Sequence, residues 1–361
     1  MKKLSERMVF RGNGIKILAA TVAFLVLSSS GWGKAALGQG VDQEVLRRAR
    51  ALFKPLPESM LAPKDNPTTP AKAGLGKMLF VDERLSASGA ISCLSCHPMG
   101  LYLADQIPFS VGHLGKLAPR NSPTLFNAGL QFKQHWRGDR DSLEHQVLLA
   151  LVTGGAFANK DRAEAMARLR AITGYAPLFK EAFPGEKESL TYDNIAKSIA
   201  AFQRTLITPA PFDSFLRGNL DALTAEQKKG LGIFIDTGCA GCHSGPGLGG
   251  NMYSKFGMVK PYWPATGSKK IDKGRYDVTG KKADMYLFKV PMLRNVARTP
   301  PYFHDGSVRE LRRAVRVMAD VQLGKMLTDE QAEAVVAFLE SLTGEIPADA
   351  LAIPILPASP R

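Results

Sequence analysis

All four cysteines and two of the six histidines of the chain form two copies of one short motif. Cys93-Leu-Ser-Cys96-His97 and Cys239-Ala-Gly-Cys242-His243 both read C-x-x-C-H. Two thiols at this spacing can form thioethers with the two vinyl groups of one porphyrin, while the adjacent imidazole ligates its iron. The doubled motif therefore predicts two covalently attached c-type haems.

Two other uses of paired cysteines compete with haem attachment. Four cysteines in two pairs could hold zinc as a tetrathiolate, but zinc gives no reason for a histidine directly after each pair. A redox disulfide accounts for one pair at most and normally lies in a βαβ context, which this sequence lacks. Haem attachment is the interpretation that uses every residue of both motifs.

The first 38 residues have the layout of a secretory signal peptide. Five basic residues within the first sixteen precede an apolar run of eleven, and small residues follow up to Gly38. We expect cleavage after Gly38 and export to the periplasm, which suits a protein whose haem is attached outside the cytoplasm. An uncleaved N-terminal anchor is the alternative. No other long apolar run exists, so no stable membrane insertion is expected after the signal is removed.

The basic excess of the chain shrinks without the signal peptide. The full sequence has a formal charge of +14, and residues 39–361 keep 41 basic and 32 acidic side chains, a net +9. This excess is compatible with an acidic electron-donor protein or an anionic membrane surface. The basic residues are scattered and form no stripe interleaved with aromatics, so nucleic acid is not an expected partner.

Apolar periodicity and capping signals predict helices separated by long loops. The helices are expected over 41–53, 71–80, 142–153, 161–172, 175–183, 192–208 and 226–235, and two more at Ser307 and Thr328. Ser307 has the spacing of a capping box with Glu310. The segment 98–127 is rich in Gly, Pro and Asn and lacks a period, which is typical of a functional loop.

A faint internal repeat indicates two related halves. Gly76-x-x-x-Phe80-x-Asp82 precedes the first C-x-x-C-H motif, and Gly230-x-x-x-Phe234-x-Asp236 precedes the second. The predicted fold class is all-α, with two cytochrome c-like domains that each carry one covalently bound c-type haem. After the signal peptide (1–38), we place the N-terminal haem domain at 41–208, the C-terminal haem domain at 209–344 and an extended tail at 345–361.

Spacing alone does not identify the remaining iron ligands. Four further histidines, His113, His135, His145 and His304, and twelve methionines are available. A histidine as sixth ligand keeps the reduction potential of a haem low, whereas a methionine raises it. Because most single histidines and helical methionines are structural residues, the residues alone leave this choice open.

Further stretches resemble the bacterial di-haem cytochrome c peroxidases, a family that includes the di-haem enzyme maturing methylamine dehydrogenase. The resemblance spans residues 45–344 and rests on 110–113 (SVGH), 120–127 (RNSPTLFN), 136–138 (WRG), 288–295 (FKVPMLRN) and 301–306 (PYFHDG). It implies a peroxidatic, low-potential haem in the N-terminal domain. The haem of the C-terminal domain would have a high potential and accept electrons.

The resemblance also implies roles for single residues. His113 matches the displaceable sixth ligand of the low-potential haem, and Met318 matches the methionine ligand of the high-potential haem. Trp136 matches a tryptophan between the haems, which makes it a candidate electron relay. Gln146 matches a glutamine of the distal pocket, beside the reacting peroxide.

One calcium ion between the domains is implied in the same way. Asn121 and the backbone carbonyls of Thr299 and Pro301 match the calcium ligands of the family. Amide and carbonyl oxygens suit a hard cation of this kind.

One position departs from the family pattern. Counted without gaps from Trp136, Ala156 stands where the family keeps a glutamate that would shuttle the proton needed to break the O–O bond. The nearest acids, Asp161 and Glu164, could replace it only if the loop were remodelled.

The resemblance favours a periplasmic peroxidase that reduces hydrogen peroxide to water with electrons from a small redox protein, either a cytochrome c or a cupredoxin. Two alternatives stay open: oxidation of Trp or Tyr in a partner protein, and a non-enzymatic di-haem electron carrier. The methylamine dehydrogenase maturation enzyme has a tyrosine where this chain has Met318, which favours the peroxidase. A homodimer also stays open.

Overall fold

The computed structural model describes the backbone from Ser30 to Ser359 and the side chains from Gly40 onwards. The predicted signal peptide therefore lies outside the described residues, except that Ser30–Gly38 belong to the first helix. One compact unit of the fold, Asp42–Arg361, contains both haem motifs. Within the described part of the chain, no helix is long and apolar enough to cross a membrane.

The described structure is mostly helical, as predicted. Its helices are α1 (Ser30–Leu52), α2 (Pro70–Val81), α3 (Leu143–Ala150), α4 (Arg162–Arg170), α5 (Tyr175–Ala182), α6 (Tyr192–Thr205), α7 (Pro211–Arg217), α8 (Ala225–Thr237), α9 (Tyr262–Thr266), α10 (Tyr276–Thr279), α11 (Leu311–Leu323), α12 (Asp329–Glu340) and α13 (Ala348–Leu351). The segment 98–127 contains no α-helix, only turns, short 3-10 helices, extended residues and one bridge between Val111 and Leu117, in agreement with its aperiodic sequence.

Glycines of the internal repeat mark two equivalent helix crossings. A Cβ atom on Gly76 of α2 would collide with the carbonyl oxygen of Ser198 in α6, and one on Gly230 of α8 would collide with that of Ala334 in α12. Only a residue without a side chain lets the two backbones approach this closely. The repeat in the sequence is therefore a repeated helix pair in the fold.

The phenylalanines of the repeat complete these two crossings. One turn after the glycine, Phe80 meets Phe202 of α6 edge-on, with ring centroids 5.4 Å apart. Phe234 packs against Phe338 of α12 at 5.3 Å. Each helix pair is therefore closed by an aromatic contact worth about 1 kcal/mol beyond its burial.

The two ends of the described chain contribute to opposite cores. The first core surrounds α2 and α6, and Ala350 of the C-terminal segment is buried in it. The second core surrounds α8 and α12, and it includes Leu46 of α1 and Phe53 just after that helix, whose ring lies 5.6 Å from that of Phe212. The tail, expected to be extended, contains the short helix α13 and packs on the first core.

A small sheet was not expected from the sequence. Strand β1 (Tyr253–Lys255) pairs antiparallel with β2 (Leu287–Lys289), and Ser254 lies opposite Phe288. Three-residue strands are too short to show an alternating pattern. Their pairing depends on the return of the polar segment 269–282, which local sequence does not reveal.

The predicted capping role of Ser307 is wrong. Helix α11 begins only at Leu311, and the Ser307 hydroxyl oxygen is buried without a hydrogen-bond partner. The Ser307 amide donates instead to the Asp305 carboxylate at 3.1 Å. A bridge between Tyr302 and Val308 closes this turn, so the chain is still extended where the helix was expected to start.

Candidate haem sites

Both motif histidines are oriented by a backbone carbonyl. His97 Nδ1 lies 2.8 Å from the Leu103 carbonyl oxygen, and His243 Nδ1 lies 3.0 Å from that of Leu248. A proton held on Nδ1 in this way leaves Nε2 available to a metal. Burial lowers the pKa of both imidazoles, which favours the neutral form that ligates iron.

The motif cysteines are partly buried thiols. Both pairs lie on 3-10 turns, and all four cysteines are free of disulfides. Burial raises the pKa of Cys93 to about 12 and that of Cys239 to about 11. Such thiols lack the lowered pKa of a redox dithiol, which argues against that alternative.

Zinc is excluded by geometry over the part of the chain that the structure describes. Within it, no three His, Cys, Asp or Glu side chains come together in a way that could hold a metal ion. A tetrathiolate would need the two cysteine pairs to converge, and they do not. Each pair therefore serves a site of its own.

A mainly apolar cavity of about 230 Å³ lies beside the second motif. Cys239, Cys242 and His243 line it, and so does Met318 from α11. The structure thus brings together the predicted axial ligands of the second haem, which sequence spacing alone did not connect. An apolar cavity with a histidine and a methionine on its walls suits a haem of raised potential.

Residues from the N-terminal half complete the wall of this cavity. Trp136 lines it, and its indole Nε1 donates to the Asn121 carbonyl oxygen at 2.8 Å. Asn121, Thr299 and Pro301, the three predicted calcium ligands, line the same cavity. The Asn121 amide nitrogen donates to the Ile107 carbonyl at 2.9 Å, so its amide oxygen is left to accept or to ligate.

His113 and Gln146 lie outside this cavity. His113 starts a 3-10 turn, and its Nδ1 is buried without a hydrogen-bond partner. Just before it, Gly112 contacts the Gly155 backbone so closely that a Cβ would collide with the Gly155 carbonyl. Gln146 lies on α3. The turn that carries His113 therefore packs against the loop that contains Ala156, the residue at the position of the family glutamate.

The acids near that loop already serve structural roles. Ala156 packs partly buried against the first core. Asp161 accepts the Glu164 amide at 2.9 Å as the cap of α4. The Glu164 carboxylate accepts the Lys160 amide at 2.6 Å and the Arg168 guanidinium at 2.8 Å, and these hydrogen bonds lower its pKa. Neither acid is free to take over the missing carboxyl function.

The sequence predicts no role for Lys289, a charged residue of the cavity wall. Lys289 lines the cavity with only 5% of its surface exposed, and its ammonium donates to the Gln131 side-chain oxygen. The sequence does contain a signal for this burial, because Lys289 lies between Phe288 and Val290 in a short apolar stretch. Lysines that remain in solvent are usually flanked by polar residues.

Comparison with known proteins agrees with this geometry. Residues 70–221 match the profile of the di-haem cytochrome c peroxidases, and residues 227–343 match that of cytochrome c. The cytochrome c551 peroxidase of Pseudomonas aeruginosa is 43% identical over 318 residues, which cover 86% of this chain and 89% of that protein. The chain belongs to the di-haem cytochrome c peroxidase family.

Other members of the di-haem peroxidase family resemble the chain over most of its length. The methylamine utilization protein MauG of Methylorubrum extorquens is 33% identical over 90% of this chain and 92% of its own. A solved MauG-like protein associated with microbial copper homeostasis is 29% identical, with a TM-score of 0.72 over 83% of this chain and 98% of its own.

Family membership confirms three predictions from the sequence. The fold consists of two cytochrome c-type domains, the protein is an oxidoreductase of the peroxidase type, and its cofactors are two c-type haems. The partly buried thiols, the imidazoles bound to backbone carbonyls and the apolar cavity fit these haems. The individual ligand and catalytic roles stay predictions.

Proposed function

We propose that the protein reduces hydrogen peroxide to two molecules of water, using two electrons from a small redox protein and two protons. The observation that carries this proposal is the inequality of the two haem sites. His243 and Met318 share one cavity, whereas His113 lies on a separate turn with an unpartnered imidazole nitrogen. This difference supports the proposal that one site holds and passes electrons and that the other opens.

Electrons would enter near the second motif. The Cys242 sulfur lies 3.9 Å from the Ser254 hydroxyl, which lies 3.8 Å from the Met258 sulfur. Met258 is 61% exposed, and the exposed residues Val259 and Lys260 follow it. An apolar surface with a basic neighbour suits an acidic cytochrome c or cupredoxin as the donor.

Trp136 is the proposed connection between the two haem sites. Its indole is fixed by Asn121, and its carbonyl oxygen accepts the Lys289 amide at 2.8 Å, so the ring belongs to a rigid wall of the cavity. The haems supply the redox chemistry when bound. The chain supplies a fixed aromatic ring in the path from the second motif towards the first.

At the first motif, His113 and Gln146 are the proposed active-site residues. His113 would leave the iron on activation, since an open coordination position is needed before peroxide can bind. Gln146 would orient the peroxide by hydrogen bonding. Because Ala156 carries no acid, the protons would arrive through water.

Calcium is proposed to hold Asn121 and the chain near Thr299 and Pro301 together. The support is that all three residues line one cavity. In addition, the backbone N–H of Asn121 donates to the His304 carbonyl at 2.8 Å, which links Asn121 to the segment that follows Pro301. Chelation should abolish activation, and added calcium should restore it. Equal activation with and without a chelator would contradict the calcium proposal.

Export and domain boundaries remain proposals of the same kind. The basic and apolar N-terminus supports cleavage after Gly38 and a periplasmic location. The two helix pairs support haem domains at 41–208 and 209–344, although the ends of the chain pack on opposite cores. The mass of the mature protein from a periplasmic extract would test the cleavage site.

The decisive experiment is steady-state peroxide turnover by the protein with one haem reduced. In the presence of calcium, half-reduction should produce a high-spin, five-coordinate haem spectrum, followed by turnover. A protein that stays low-spin and does not react with peroxide would be an electron carrier. Oxidation of a partner protein's Trp or Tyr without peroxide turnover would instead support the MauG-type alternative.

Met318 can be tested in the same preparation. Met318→His should lower the potential of the second haem and collapse the gap between the two potentials, because a second histidine ligand favours the oxidised iron. An unchanged high-potential haem would show that Met318 is not its ligand.

A further inference from the structure

A buried ammonium group lies in the wall of the second cavity. Lys289 is the last residue of β2, and its backbone amide donates to the Trp136 carbonyl, which fixes the strand beside that ring. Its side chain lines the cavity and is almost completely buried. Burial lowers its pKa to about 8, a value that still leaves most of the ammonium charged at neutral pH.

This charge has no acidic partner among the described residues. The Lys289 ammonium donates to the neutral amide oxygen of Gln131, and it takes part in none of the ion pairs of the described chain. By contrast, the buried Arg294 of the same wall is paired with Asp213 at 2.7 Å. A buried charge without a countercharge is costly, so a counterion is expected from whatever fills the cavity.

A haem attached at Cys239 and Cys242 would bring two propionate carboxylates into this cavity. We propose that Lys289 is a positioning residue that pairs with a propionate of this haem, holds the haem edge beside Trp136 and raises its reduction potential. The physical reason is that a fixed positive charge stabilises the iron after it has gained an electron. The inference rests on the haems of the family and does not depend on reduction of peroxide.

The first test is the midpoint potential of the second haem in the intact di-haem protein. Lys289→Gln removes the charge but keeps a hydrogen-bonding side chain, so the potential should fall. Lys289→Arg keeps the charge and should stay near the wild-type value. Lys255→Gln is the matched control: Lys255 also lines the cavity but is exposed, and solvent screens its charge.

The second test is the resonance Raman band of the propionate bending mode, which responds directly to hydrogen bonding of the carboxylate. The band should shift in Lys289→Gln, and in Lys289→Arg because the geometry of the pair changes, but not in Lys255→Gln. An unshifted band in Lys289→Arg overturns the proposal even if Lys289→Gln does not fold. Equal potentials in Lys289→Gln and Lys255→Gln also overturn it.

Discussion

Ala156 stands at the position where the resemblance to the family implies a proton-delivering glutamate. We expect Ala156→Glu to raise kcat for peroxide by about 10²-fold, the lower end of what a positioned proton donor contributes in enzymes. The pH dependence of kcat should show an additional ionisation, that of the new carboxyl group, which is absent from the wild-type protein. Stopped-flow and steady-state assays of the half-reduced protein would measure it.

Thr153→Glu is the control for this prediction. Thr153 is exposed and lies in the same turn, where its carbonyl accepts the Ala156 amide at 2.9 Å. Its variant adds the same charge without pointing it into the partly buried position. Similar rates for the two glutamate variants would mean that proton delivery does not limit this enzyme.

Asp82 and Asp236 occupy the same position of the repeat but differ in burial. Asp82 is buried; its burial raises its pKa, but hydrogen bonds from Arg84 and from the Tyr175 hydroxyl at 2.7 Å outweigh this and lower the pKa overall. Asp82→Asn should cost about 1–3 kcal/mol of unfolding free energy at pH 7. Asp236→Asn should change it by less than about 0.5 kcal/mol, because that carboxylate is exposed.

The pH dependence of the Asp82 effect has a defined sign. A carboxyl group whose pKa is lower in the folded than in the unfolded protein stabilises the fold above the unfolded value of 3.8 and loses this effect as the pH falls through the folded value. Urea unfolding at several pH values should therefore show the Asp82→Asn difference shrinking below about pH 4. A constant difference would assign the loss to packing.

At the scale of elements, each crossing glycine has a neighbour that makes a matched control. Gly230→Ala should destabilise the protein by about 1–3 kcal/mol, because the new methyl group collides with the Ala334 carbonyl. Gly232→Ala, two residues further along α8, meets nothing within 4 Å and should stabilise the helix by up to about 1 kcal/mol. Gly76→Ala and Gly74→Ala should repeat this contrast in α2.

Urea unfolding of the four alanine variants checks this prediction. Replacing glycine by alanine changes the helix propensity by the same amount at both positions of a pair. This contribution therefore cancels when the crossing variant is compared with its control. If the crossing and control variants had equal stabilities, the helices would be able to separate without cost, and the close approach would not be essential.

The elements differ in how far the sequence could predict them. The long helices follow from local periodicity, and the helix start at Thr328 follows from the side chain that caps it. The sheet, the late start of α11 and the burial of Lys289 depend on contacts with residues distant in the chain. His243 and Met318 likewise come to line one cavity only through tertiary structure, so their spacing in the sequence did not connect them.

At the scale of the whole molecule, association with the donor should depend on the charge beside the second motif. Lys260→Glu should raise the KM for an acidic donor roughly fivefold at low ionic strength, because it replaces a positive charge by a negative one beside the Asp320 carboxylate that now pairs with Lys260. Salt should reduce the difference. Lys160→Glu, an exposed reversal in the N-terminal half, should leave this KM unchanged.

Donor kinetics over a range of salt concentrations provide the measurement. If Lys160→Glu raised the KM as much as Lys260→Glu, the donor would respond to net charge rather than to a particular surface. The proposed entry point at Met258 would then be wrong.

The C-terminal end of the described chain contributes to the first core and the N-terminal end to the second, which has a consequence for biosynthesis. Neither core is encoded by an uninterrupted half of the gene, since the second needs Leu46 and the first needs Ala350. The first C-x-x-C-H motif is made early, yet its core is complete only after the second motif and the segment around Ala350 have been synthesised. We therefore expect the first motif to stay accessible to the haem-attaching machinery until synthesis is almost finished. Halves expressed separately should neither fold nor retain haem.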